Sequence, residues 1–99
     1  MMGGLIVLLH GVGSTPADMA PLAGLIAAHD ASARVAVPPA TWPCDRGGAG
    51  YQWFSVDGIT DANRADRIRA ALPAFVATVE DLPREYGVTP ERTVLAGFS

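Results

Sequence analysis

Leu5-Ile6-Val7-Leu8-Leu9 is an unbroken aliphatic run, and it constrains the fold more than any other stretch of the chain. A glycine pair precedes it and His10-Gly11 follows, which sets a strand's length. Successive side chains on a strand point to opposite faces, so a run without polar alternation must be buried on both. That burial is found in parallel sheets covered by helices. Two further strand candidates, Arg34–Val37 and Thr93–Ala96, are separated from the first and from each other by helical patterns. The alternation predicts an α/β fold with a parallel sheet.

The helical patterns have readable limits. Ser14-Thr15-Pro16 combines a capping residue with a proline, a signal for a helix start. Met19, Leu22, Ala23, Ile26 and Ala27 then recur on one helical face, which predicts a regular helix from about Asp18 to Ala28 with a tighter turn before it. Pro21 is tolerable there only in the first turn. The second helix is expected to start at Thr60-Asp61, both acceptable N-caps, with Ala65, Ile68, Leu72, Phe75, Val76, Val79 and Leu82 on one face. Pro73 should kink or split it, and Gly87 should stop it. Between Pro38 and Ile59 no period is visible. Both tryptophans, Cys44 and the glycines at 47, 48 and 50 fall in this stretch, and a loop so long inside a compact domain is usually a functional one.

Composition narrows the function classes. Ninety-nine residues fit one domain, and with 49% apolar and 17% charged residues the chain can bury a substantial core. The net charge is −3, and the only basic cluster, Arg64, Arg67 and Arg69, is interleaved with Asp61 and Asp66. That reads as a solvated helix face, so nucleic acid is not an expected partner. The N-terminal apolar run is too short to span a bilayer and has neither a basic region before it nor a cleavage site after it. Cys44 is the single cysteine, which rules out an intrachain disulfide and favours a cytoplasmic protein.

Two short motifs carry chemistry. His10-Gly11-Val12-Gly13 follows the first strand directly, and a Gly-rich turn between a strand and a helix can aim backbone N–H groups at a developing oxyanion. A dinucleotide loop would need a glycine where Pro16 stands and an acidic residue ending the second strand, which runs into Val37-Pro38-Pro39 instead. A phosphate-binding P-loop fails because no Gly-Lys-Ser or Gly-Lys-Thr occurs. His10 precedes any candidate nucleophile, so it reads as a residue that holds the loop, and His29 as plain surface at a helix end. The second motif is Val94-Leu95-Ala96-Gly97-Phe98-Ser99. A strand running into Gly-x-Ser is the first half of a nucleophile elbow, Gly-x-Ser-x-Gly, and here the serine is the last residue. The competing reading is an ordinary strand terminus.

Taken in order, Leu8-Leu9-His10-Gly11-Val12-Gly13, the block Gly50-Tyr51-Gln52-Trp53-Phe54-Ser55-Val56-Asp57-Gly58-Ile59, and Gly87 through Ser99 resemble the phospholipase/carboxylesterase family of α/β-hydrolases, which includes acyl-protein thioesterases and small bacterial carboxylesterases. The resemblance covers essentially the whole chain. It implies the N-terminal half of one α/β-hydrolase domain over residues 1–99, a parallel sheet with flanking helices that stops at the nucleophile elbow. Carried over by position, Ser99 would be the nucleophile, the Val12 N–H one oxyanion donor, and Trp53 a substrate-binding residue on the acyl side. The plainer reading of Trp53 and Phe54 is that they pin the long loop to the core. Cys44 and Trp42 have no role in the resemblance.

The resemblance therefore implies a serine hydrolase of carboxylic esters or thioesters, with a small-molecule substrate and neither metal nor cofactor. Family members continue past the serine with Gln-Gly-Gly, a catalytic aspartate and a final histidine. None of these follows Ser99 in this sequence, so the 99-residue chain is expected to be inactive alone and to self-associate through an exposed sheet edge. A non-catalytic remnant or binding fragment is the alternative reading.

Overall fold

The computed structural model describes residues 3–98 of the chain. The aliphatic run forms strand β1 (Leu5–Leu9), with Leu5, Val7 and Leu8 at most 1% exposed. Each such side chain contributes roughly 1.5–3 kcal/mol on leaving water, so β1 anchors the molecule. Strand β2 (Arg34–Ala36) pairs parallel with it on one side and the last strand, β5 (Thr93–Gly97), pairs parallel on the other. The sheet order β2-β1-β5 puts the two motif-bearing strands next to each other. Val37 falls outside β2, because Pro38 follows it, and Gly97 extends β5 by one residue.

Between β1 and β2 the chain makes a single tight turn of helix at Pro16–Met19, then α1 (Ala20–His29). Thr15 caps the tight turn as the sequence signal implied. Its hydroxyl accepts the Asp18 N–H while the Asp18 carboxylate accepts the Thr15 N–H, a reciprocal capping box. Pro21 falls in the first turn of α1, where it costs no hydrogen bond.

Helix α2 (Arg64–Tyr86) departs from expectation in two ways. It starts at Arg64 after Asn63, not at Thr60-Asp61. Thr60 and Asn63 instead exchange bonds, Thr60 N–H to Asn63 Oδ1 and Asn63 N–H to the Thr60 hydroxyl, and this closes a turn ahead of the helix. Nor does Pro73 split it, for the helix runs through as one element. Pro73 and Arg69 are both exposed, so the carbonyl that Pro73 cannot bond faces solvent and does not become an unsatisfied buried group. At the other end Gly87, at φ 67°, closes a Schellman motif, with Val88 N–H on the Pro83 carbonyl and Gly87 N–H on that of Arg84.

One face of the sheet packs under α2: Leu5, Val7 and Ala36 meet Leu82 and Tyr86, together with Val88. Arg34 fixes that corner, its guanidinium donating to the Tyr86 carbonyl at 2.7 Å and lying 4.7 Å from the Tyr86 ring centre. The expected apolar face of α2 is only partly covered. Ile68, Leu72 and Val76 stay 40–44% exposed, and the fully buried positions are Ala71 and Pro83. The stretch from 38 to 59, read as irregular, carries a small antiparallel pair, β3 (Trp42–Pro43) and β4 (Tyr51–Gln52). It is too short to show a sequence period.

Candidate functional site

The site is built where β1 and β5 end together. Leu9 pairs with Gly97, and the Phe98 N–H donates to the Leu9 carbonyl at 3.0 Å, which aligns the two strand ends. From there β1 runs into the turn His10–Ser14. Gly13 stands at φ 83°, a backbone region that side chains disfavour, and the Ser14 N–H returns to the Gly11 carbonyl at 3.1 Å.

This turn is held from outside. The Gly13 N–H donates to the Tyr51 carbonyl at 2.8 Å, and the Tyr51 N–H donates back to the Ser14 carbonyl at 2.9 Å. Strand β4 thus pairs with the turn itself. The approach is so close that a Cβ on Gly50 would fall 2.1 Å from the Gly13 carbonyl oxygen, which explains one member of the Gly-rich patch. Three residues beyond Gly50, the Trp53 indole N–H donates to the His10 carbonyl at 2.8 Å, while its ring sits 5.5 Å from the imidazole and meets Phe75 edge-on at 5.7 Å. Trp53 therefore does pin the loop, and through Phe75 it ties the loop to α2.

Charges play a supporting part. The Ser14 hydroxyl and the Thr15 N–H hold the Asp18 carboxyl below its ordinary value of 3.8. The brace they form is intact above that value and is lost as pH falls through the lowered one. Asp45 is lowered likewise by side-chain hydrogen bonds with Ser55, then Gln52. Of the arginines read as a solvated face, Arg64 and Arg69 pair with Asp61 and Asp66 as expected. Arg67 does not: it reaches back to the Ser55 carbonyl at 2.7 Å and clamps the long loop to α2.

Around these elements lies a cavity of about 720 Å³, lined mainly by apolar side chains. Val12, Trp53 and Phe98 all border it, with Phe54, Leu72 and Phe75. The structure thus brings two of the sequence-derived site residues, Val12 and Trp53, to one cavity. The third, Ser99, lies outside the described residues, although its neighbour Phe98 borders the same space. His29 sits exposed in the last turn of α1, and Cys44 is half-buried in the loop. Sequence reasoning missed Ala40, Tyr51, Arg67 and Phe75, since all four act through contacts distant in the chain. Gly50 was the one local signal.

A family model described as phospholipase/carboxylesterase matches residues 2–99. The esterase YpfH of Escherichia coli (strain K12) is 39% identical over 95 residues, covering 96% of this chain and 40% of the relative. The crystal structure of esterase PE8 superposes with a TM-score of 0.87 at 31% identity, over 98% of this chain and 46% of that one. The chain thus spans less than half the length of the relatives it matches. The parallel sheet and its flanking helices are those of the α/β-hydrolase fold.

Gly50→Ala should lower stability by about 1–3 kcal/mol, because backbone must move to admit the new methyl group. Gly24→Ala, in α1 with nothing within 4 Å, serves as the control and should raise it by up to about 1 kcal/mol. Chemical denaturation of both variants gives the check, and equal effects would contradict the close approach.

Proposed function

Because the chain belongs to the phospholipase/carboxylesterase family, we propose that it supplies the nucleophile and one oxyanion donor of a serine hydrolase acting on carboxylic esters or thioesters. The observation that supports this most is the meeting of the Val12 turn, Trp53 and the end of β5 around one apolar cavity. Ser99 Oγ attacks the acyl carbonyl, and the Val12 N–H stabilises the negative charge that develops on its oxygen. The acyl chain lies along Trp53, where an apolar lining favours an uncharged substrate.

Neither histidine among the described residues is available as the base. His29 is exposed at the far end of α1, and both ring nitrogens of His10 are engaged, Nδ1 with the Gly11 carbonyl and Nε2 with the Ala40 N–H. A serine hydroxyl without a base is a weak nucleophile at neutral pH. We assign the protein to the cytoplasm on its single, free cysteine.

With p-nitrophenyl acetate, the 99-residue chain should show no turnover above its Ser99→Ala variant. Joined to the part of the YpfH esterase that lies beyond the matched segment, it should hydrolyse the ester, and Ser99→Ala should abolish that. Turnover by the joined protein that survives Ser99→Ala would reject the nucleophile. Ser99-dependent turnover by the chain alone would reject the missing base.

The same reading includes self-association. Among the described residues β5 is paired on one side only, and it exposes Val94 at 58% and Leu95 at 46%. An unpaired apolar edge is a template for another strand. Sedimentation should find dimers or larger species, reduced by Val94→Lys; a monomer at every concentration would contradict the proposal.

A further inference from the structure

His10 is 1% exposed, and Ala40, which it touches, is 4% exposed. The imidazole is a buried titratable group that the chemistry above does not use. Its two nitrogens meet partners of opposite kind. Nδ1 lies 2.8 Å from the Gly11 carbonyl oxygen, which can only accept, and Nε2 accepts the Ala40 N–H at 2.9 Å. One arrangement of protons satisfies both: a neutral ring with its hydrogen on Nδ1. In free histidine the hydrogen resides mainly on Nε2, so the site selects the less common form.

The position of Ala40 makes its bond count. It follows Pro38 and Pro39, and neither proline has an N–H to give. Across these three residues the Ala40 N–H is therefore the only backbone donor, and His10 takes it. The His10 carbonyl takes the Trp53 indole N–H, and the His10 ring lies 5.5 Å from that of Trp53 and 6.5 Å from that of Tyr51. Three segments distant in sequence, 10–14, 38–40 and 51–53, thus converge on one side chain.

We propose that His10 is a positioning residue for the Gly11–Gly13 turn, acting as a neutral ring locked with its proton on Nδ1. The ring joins the turn to Ala40, and the turn carries Val12 to the edge of the cavity. This rests on the proposed role of Val12 as an oxyanion donor. What His10 does to the turn is read without any turnover, so the two claims fail separately.

Nitrogen-15 spectra of the histidine-labelled chain at neutral pH should show a protonated Nδ1 and a bare Nε2 for His10. Amide exchange should find the Ala40 N–H protected. Two substitutions divide the ring's functions: His10→Gln places an acceptor near Nε2, and His10→Asn keeps only a donor near Nδ1. Ala40 protection should persist in His10→Gln and fall at least about tenfold in His10→Asn. A proton on Nε2, or the tautomer mixture of free histidine, would overturn the proposal. So would equal Ala40 exchange in the two variants, which is the result expected of a ring that only fills space. If His10 is locked as described while the joined protein is inactive, the serine reading fails and the role of His10 in holding the turn stands.

Discussion

The turn after β1 is held in place by a loop that follows it by some forty residues. The bonds from Gly13 to Tyr51 and from Tyr51 to Ser14, with Trp53 on the His10 carbonyl and Ala40 on the His10 ring, join the turn to the 38–59 stretch at four points. A glycine-rich turn has the conformational freedom to approach a substrate and, for the same reason, little tendency to keep one shape. Bonds from outside supply what its own sequence cannot. Everything assigned to the site depends on this, because Val12 has no fixed position unless the turn has one.

Around that contact the rest of the molecule divides its labour. Strand β1 delivers the turn to the sheet's carboxyl end, and its parallel pairing with β5 brings Phe98 to the same height. Helix α2 serves as a buttress on both sides. Its C-terminal half covers the sheet through Leu82 and Tyr86, while Phe75 and Arg67 in its N-terminal half grip Trp53 and Ser55. Ile68 and Leu72, left half-exposed on α2, line the cavity and add to its apolar character.

Much of the framework was legible in the sequence because it depends on local pattern. An aliphatic run between glycines is a strand whatever surrounds it, and Thr15-Pro16 caps a helical turn within four residues of itself. What could not be read depends on distant partners. Pro73 does not split α2, because the affected carbonyl faces solvent, and exposure is not a local property. The Thr60 side chain was read as a helix cap and proved to close a turn with Asn63. The pair β3–β4 has two residues per strand, too few for a period, and Gly50 matters only because Gly13 lies against it. Of the site residues, Val12 and Trp53 came from motif and resemblance; that His10 and Trp53 hold the loop was legible too, but the partners they use, the Ala40 N–H and the His10 carbonyl, came from the structure.

The turn borrows its shape from the long loop, and Trp53→Phe tests that dependence. This change keeps an aromatic ring against His10 and Phe75 and removes the N–H that reaches the His10 carbonyl, along with part of the ring's width. Amide exchange should then quicken together at Gly13 and Tyr51, by about three- to tenfold for the loss of one partly buried hydrogen bond, with the β1 amides unchanged. Unaltered exchange at Gly13 and Tyr51 would mean that the turn holds itself, and the account would be wrong.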